Sequence, residues 1–396
     1  MIKVDFEKCT ACGACVQICP VKCICWQEGE FGFRYPCVDQ SKCINCHQCE
    51  KVCPLEKELV VPENQHYFAA VHRNRDILSK STSGGVFTAL ADYVLERNGI
   101  VYGCTMDDAF QVKHVRISSK EELAQLRSSK YVQSNTMNTF RQALIDLRKG
   151  LYVLYTGTPC QIAGLNHFLG KSYERLITID IVCHGVGSQK YFDKFLTDLK
   201  QREKDIVGLR FRDKKYVGWS CGGVVVVVNN NNTTLKGKNK EKPFYNFENY
   251  YYSYFLSGTI YRKSCYSCPY ASLKRPGDFT LGDFWGVESL KLELDVSHGC
   301  SLVITNTEKA HKIFKELTTL SEKEVTFEQS VKHNAQLNHP VLLNSNVRNK
   351  LLEQYETMTG TEIQKYYKQD NKMNLIKGEI KIHMPYGLKM FIRSLR

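Results

Sequence analysis

The chain has 396 residues, 43% hydrophobic and 24% charged, which are globular values that exclude a disordered or fibrous protein. At roughly 100–200 residues per domain, this length accommodates two or three domains with substantial cores. The formal net charge is +13 with all 18 cysteines counted as neutral, and no stretch approaches the roughly 18 apolar residues of a membrane span.

The opening run, "MIKVDFEKCT", has no basic segment followed by an apolar one, so the expected compartment is the cytoplasm. A reducing cytosol disfavours structural disulfides, which makes the cysteines expected metal ligands or redox groups.

In chain order, residues 1–61 are cysteine-dense and turn-rich, and "VVPENQ" reads as a linker. Up to Val60 there are seven Lys/Arg against eight Asp/Glu, so the basic surplus lies in the remainder. "HYFAAVH" predicts a strand, "GGVFTALADYVLERNG" a helix closed by Gly99, and "IVYGCTM" a strand. "TFRQALIDLRKG" predicts a helix leading into "LYVLYTG", a run too apolar for a half-exposed strand. "CQIAGLNHFLG" reads as a helix, "LITIDIVC" as a second buried strand and "QKYFDKFLTDLKQRE" as a further helix. Buried strands alternating with helices predict right-handed βαβ units and a parallel sheet.

Beyond Gly208, "GGVVVVVNNNNTTL" predicts a hairpin with a polar, mobile tip, hence an antiparallel portion. After about Glu308 the pattern is helical and polar, and it ends in "KIHMPYGLKMFIRSLR", with four basic residues and no acid. The expected fold class is α+β or α/β. A small ferredoxin-like head occupies residues 1–61, a larger mixed α/β domain residues 66–310 (parts 66–148 and 149–310), and a helical extension residues 311–396.

"CTACGACVQICP" and "CINCHQCEKVCP" are two copies of C-x2-C-x2-C-x3-C-P. That spacing wraps three thiolates around one [4Fe-4S] cluster and sends the fourth to the other. Cys9, Cys12 and Cys15 are therefore expected to share a cluster with Cys53, and Cys43, Cys46 and Cys49 to share one with Cys19. Zinc also uses C-x2-C pairs, but rarely a third cysteine at the same interval with a fourth before proline. The head thus reads as a two-cluster ferredoxin that exchanges single electrons with another ferredoxin or redox protein. Cys23, Cys25 and Cys37 read as packing in the small insert.

"LYVLYTGTPCQIAGL" places Cys160 past a buried strand at a helix start, and "LITIDIVCHGVG" places Cys183 in the same position one βα unit later. Cysteines at the carboxyl ends of successive parallel strands can face one crevice, where open α/β sheets bind ligands. With Cys265 and Cys268 of "CYSCPYA", four thiols could hold a third [4Fe-4S] cluster. The alternative is that each is a small buried hydrophobe, which is also the reading for Cys104, Cys221 and Cys300. Three clusters would reduce the net charge to about +7.

"KSTSGGVFTALADYV" offers hydroxyls, two glycines and a helix start, a combination that binds phosphate or simply caps a helix. "HGVGSQK" lacks the third glycine of a dinucleotide fingerprint. Ferredoxin clusters move one electron while most organic substrates need two, and a flavin fits that gap.

"STSGGVFTAL", "SSKYVQS", "GTPCQIAGL", "VCHGV", "FRDKKYVGW" and "CYSCPYASLKRPGDFTLGDFWG" follow in that order from about His66 to Thr307. Together they resemble the coenzyme F(420) hydrogenase/dehydrogenase beta subunit family, here with a fused two-cluster ferredoxin. The resemblance implies FAD beside a [4Fe-4S] cluster, with Cys160, Cys183, Cys265 and Cys268 as its ligands. It assigns Ser83, Gly84 and Gly85 to FAD phosphates, and Lys130, Tyr131 and Ser134 to the flavin region. Asp278 and Asp283 are expected to be structural or flavin-proximal. His184 is the titratable side chain within a motif that could protonate a substrate, with a capping or hydrogen-bonded structural role as the alternative.

The expected activity is an FAD-dependent iron–sulfur oxidoreductase acting on a small molecule or a deazaflavin. The rival is an electron-transfer subunit docked on a separate hydrogenase, formate dehydrogenase or other redox protein. The basic surplus is spread out and brings no nucleic-acid-binding module. The basic C-terminus reads as a docked helix, with peripheral membrane or acidic-partner contact as the alternative.

Overall fold

The structure is a computed structural model that describes residues 2–56, 59–219, 222–229 and 239–383. The tip of the expected hairpin (230–238), Cys221 and the last stretch from 384 lie outside the described residues.

In the head, β1 (Ile24–Glu28) and β2 (Arg34–Val38) form an antiparallel hairpin between the two cysteine motifs. Its tip is not a free loop, because Phe31, Phe33 and Tyr35 are at most 2% exposed. They enter an aromatic core with Tyr191, Tyr250 and Tyr251, joined by Leu351, Ile363 and Tyr367 from the C-terminal helices. Gly32 (φ 71°) is needed at the turn: a Cβ there would meet Lys190 at 2.4 Å and the Tyr355 hydroxyl at 2.7 Å.

Next come β3 (His66–His72), β4 (Ile100–Met106), β5 (Val112–Ile117), β6 (Val153–Gly157) and β7 (Leu176–Ile181). They are followed by β8 (Ile206–Phe211), β9 (Gly223–Val228), β10 (Lys240–Tyr245), β11 (Phe279–Asp283), β12 (Ser301–Thr305) and β13 (Leu320–Val325). Eight of them build one mixed sheet in the order β13-β3-β12-β11-β7-β6-β4-β5. Its centre, β11-β7-β6-β4, is parallel, and the outer strands pair antiparallel.

Successive side chains of the central strands point to opposite faces. Leu154 and Ile177 pack with Val86, Leu90 and Val94 of the helix Val86–Leu95. Val153, Tyr155 and Leu176 pack with Phe140, Ile162 and Leu165 of the helices Thr139–Arg148 and Pro159–Leu169. Both faces are thus covered, which is why these strands read as continuous apolar runs. The strands β8, β9 and β10 form a separate antiparallel sheet packed on the aromatic core.

Three local expectations are corrected. The left-handed residue closing Val86–Leu95 is Asn98 (φ 55°); Gly99 is required because a Cβ would meet the Val94 carbonyl at 2.7 Å. Cys183 lies two residues past the end of β7, but the next helix begins only at Gln189, capped by Ser188. The segment after Glu308 is not purely helical, since β13 adds an edge strand beside β3. No helix among the described residues is long and apolar enough to cross a membrane.

Candidate functional site

The two cysteine motifs fold alike. Left-handed residues recur at the same steps, Ala11 (φ 51°) and Gly13 (φ 89°) in the first, Asn45 (φ 51°) and His47 (φ 57°) in the second. Cys53 stands with the first motif: burial raises the Cys9 and Cys15 thiols, and both feel Cys53. Cys19 stands with the second, bordering a small apolar space together with Cys43, Cys46 and Cys49. Cys23 borders the same space, with its sulfur 3.5 Å from that of Cys19. It packs there with Cys15, Cys19 and Ile24, whereas Cys25 and Cys37 sit opposite each other across the hairpin.

The head is seated on the main domain beside the first motif. A Cβ on Gly164, one turn past Cys160, would come within 2.8 Å of Cys12 Sγ, so the helix Pro159–Leu169 carries Cys160 and also supports Cys12. Gln133 Nε2 donates to the Thr10 carbonyl (2.9 Å), and Thr136 Oγ1 donates to that of Cys12 (3.1 Å). Arg262, 2% exposed, donates to Gln133 Oε1 (2.9 Å), the Arg34 carbonyl (2.9 Å) and the Cys9 carbonyl (3.4 Å). Its guanidinium lies over the rings of Phe33 and Tyr35. Lysine cannot span three acceptors or stack as a plane. Arg262→Lys is therefore expected to cost about 2–3 kcal/mol, read by denaturant unfolding.

Cys160, Cys183, Cys265 and Cys268 come together from the ends of β6 and β7 and from the turn Lys263–Ser267. Each keeps some accessible surface, yet protein crowds around it, so burial dominates. It pushes Cys265 up to about 12 and Cys268 up to about 11, and raises Cys160 and Cys183 as well. Cys183 feels Cys265, Cys160 and Cys268. Backbone N–H groups of Val186, Tyr270 and Ala271 oppose burial by bonding to Cys265 and Cys268. Among the described residues no three Cys, His, Asp or Glu side chains are close enough to hold a single metal ion. These sets are spread more widely than the ligands of one ion.

Cys183 also borders a cavity of about 360 Å³, within the roughly 300–1,000 Å³ of small-molecule sites. Ser83, Gly85, Lys130, Tyr131, Ser134, Cys183 and His184 all line it. Gly84 does not, and its assignment to phosphate is corrected: its N–H bonds to Ser301 Oγ (2.9 Å), and a Cβ would meet the Ala70 carbonyl at 2.2 Å. That glycine serves close packing against the sheet. Gly85 (φ 88°) starts the helix Val86–Leu95 with no side-chain cap, and Val86, Phe87 and Thr88 line the cavity beside it.

The cavity also has His114, which no motif singled out, and further charged groups stand in its wall or behind it. His114, buried on β5, places Nδ1 2.7 Å from Ser134 Oγ and donates from Nε2 to the Thr156 carbonyl (2.8 Å). Burial lowers it to about 4, so it is neutral at pH 7. Lys130 and Lys214 are each lowered to about 8, chiefly by burial. Lys214 Nζ donates to the Ser83 carbonyl (2.6 Å), which places it behind the hydroxyl-rich end. Asp283 accepts from Trp219 Nε1 (2.9 Å), pairs with Arg212 and lines the cavity. Asp278 instead ties β7 to β11, accepting from the Thr178 N–H (2.9 Å), so the two aspartates divide between cavity-lining and structural places. His184 is open to the cavity; burial lowers its pKa, Asp283 opposes this, and Arg212 adds to it.

Three comparisons bear on this arrangement. The N-terminal and C-terminal models of the coenzyme F420 hydrogenase/dehydrogenase beta subunit match residues 67–141 and 151–330. A 4Fe-4S dicluster domain matches residues 8–56. No curated protein matches the chain. Among solved structures, a chain of the xenon-derivatised F420-reducing [NiFe] hydrogenase complex from Methanosarcina barkeri is similar at 16% identity and a TM-score of 0.44. That likeness covers 80% of this chain and 96% of the other. With two halves of one family model in sequence across the large sheet and a dicluster domain before them, the chain belongs to the coenzyme F420 hydrogenase/dehydrogenase beta subunit family.

Proposed function

We propose that the chain is an FAD-dependent iron–sulfur oxidoreductase. Its head clusters are held by Cys9, Cys12, Cys15 and Cys53 and by Cys43, Cys46, Cys49 and Cys19. A third [4Fe-4S] cluster on Cys160, Cys183, Cys265 and Cys268 connects them to FAD and a two-electron acceptor. One observation carries this reading: Cys183 belongs to the four-thiol set and borders the cavity, while Cys12 rests on the helix that carries Cys160. The donors fit, since four enclosed thiols with raised pKa values would ionise together only around a cationic core. FAD supplies the change from one-electron to two-electron transfer.

The chain's own residues then have distinct tasks. Ser83, Gly85 and the uncapped helix start hold phosphate, with Lys130 and Lys214 supplying positive charge. Tyr131, packed on Phe211 and Phe255, walls the flavin off from water, and Ser134 is fixed by His114. With its lowered pKa, His184 is neutral at pH 7 and serves better to take a proton at the cavity than to give one. Because Lys130 and Lys214 lose their charge above about pH 8, FAD affinity is expected to fall about tenfold between pH 7 and 9. Lys130→Met should weaken binding at pH 7 and flatten that profile in a fluorescence titration.

The test is anaerobic mixing of the lone FAD-loaded chain with a reduced ferredoxin. Bleaching of the flavin band supports the reading, whereas a flavin that stays oxidised while the head clusters accept electrons overturns it. The family's description as a beta subunit favours a second reading, an electron-transfer subunit of a larger redox assembly. In that case acceptor turnover, a deazaflavin included, requires a stoichiometric partner protein.

A further inference from the structure

Tyr270 follows Cys268 by two residues, is 1% exposed, and its hydroxyl has no hydrogen-bond partner among the described residues. Other buried hydroxyls without a partner among the described residues, such as those of Tyr191 and Tyr250, belong to rings of the aromatic core. Tyr270 belongs to none of the packed apolar clusters. Instead its hydroxyl lies within electrostatic reach of Cys160 and Cys268 of the main domain and of Cys12 and Cys53 of the head. It therefore stands near both the first head set and the four-cysteine set of the main domain.

The main chain around it is fixed. The Tyr270 N–H bonds to the Cys268 sulfur, and its carbonyl accepts from Arg275 Nη1 (2.7 Å). Arg275 is itself held by buried Asp180. A buried hydroxyl with no partner costs about 1–3 kcal/mol, a cost that an acceptor outside the protein chain would remove.

We propose that Tyr270 is a positioning residue whose hydroxyl donates a hydrogen bond to a sulfur of the third cluster and so sets the difference in reduction potential between it and the first head cluster. The inference rests on the function proposed above. A hydrogen bond to a cluster sulfur favours the reduced, more negative form, so it raises the potential.

The experiment is a redox titration of wild type and Tyr270→Phe followed by electron paramagnetic resonance, with iron and flavin counted on the same samples. Phenylalanine keeps the ring and removes only the hydroxyl. The expected result is wild-type iron and FAD with one cluster midpoint displaced downward. The displacement corresponds to about tenfold in its reduced-to-oxidised ratio, or 59 mV for a one-electron couple, while the other two midpoints stay in place. Unchanged midpoints at full iron content overturn the role of Tyr270 and leave the proposed function standing. Wild type with only about eight irons removes the function itself. If Tyr270→Phe loads less iron, 3-fluorotyrosine at 270 decides: a more acidic phenol must move one midpoint upward, and no movement overturns the proposal.

Discussion

Cys183→Ala is expected to reduce iron from about twelve to about eight atoms per chain and to leave both head clusters spectroscopically intact. Under the proposed function Cys183 would be the ligand nearest the cavity, because it alone of its set lines it. FAD binding should survive, since the hydroxyl-rich end around Ser83 and Gly85 is built on β3 and the helix Val86–Leu95 rather than on the cysteine loops. Flavin reduction by a ferredoxin donor should fall by at least about a hundredfold, while direct reduction by a small chemical reductant continues. The separation of these two rates distinguishes a lost connection from a damaged flavin site. Full iron content in the variant would show that Cys183 is not a ligand.

The largest loss of stability is expected for Asp180→Ala. Asp180 Oδ1 accepts from Arg275 Nε (3.0 Å) and Thr280 Oγ1 (2.9 Å), and Oδ2 accepts from the Gly277 N–H (2.8 Å). Both partners of the ion pair are at most 1% exposed. Removing one member of a buried pair leaves the other charge desolvated and unmatched, at a cost of about 3–5 kcal/mol. The pair also has a place in the site, since Asp180 precedes Cys183 by three residues and Arg275 follows Cys268 by seven. Denaturant unfolding should show the full loss for alanine and a smaller one for Asp180→Asn, which keeps the Gly277 and Thr280 contacts. A loss below about 1 kcal/mol for Asp180→Ala would contradict the view that this pair ties the two cysteine segments together.

The parts of the fold that announced themselves in the sequence did so through local chemistry. "LYVLYTG" and "LITIDIVC" read as buried parallel strands because helices cover both their faces. The cysteine spacing carried its own geometry, visible in the matching left-handed turns of the two motifs. In contrast, "LSEKEV" (β13) is an edge strand whose middle four residues are not buried, so its composition resembles a polar helix. Gly84 was misplaced because phosphate approach and backbone packing both demand a missing Cβ, and only the neighbours tell them apart. His114 was missed because one polar residue in the alternating "VKHVRI" gives no sign of facing a cavity. Tyr270 was missed for a different reason: its nearness to Cys12 joins residues more than 250 positions apart, which no local pattern encodes.

The decisive measurement is an anaerobic count of iron, acid-labile sulfide and acid-released flavin per chain, on the protein purified alone. The account predicts about twelve irons with matching sulfide and one FAD. About eight irons without flavin would contradict it, leaving a two-cluster ferredoxin joined to a domain whose four enclosed thiols and adjoining cavity serve another purpose.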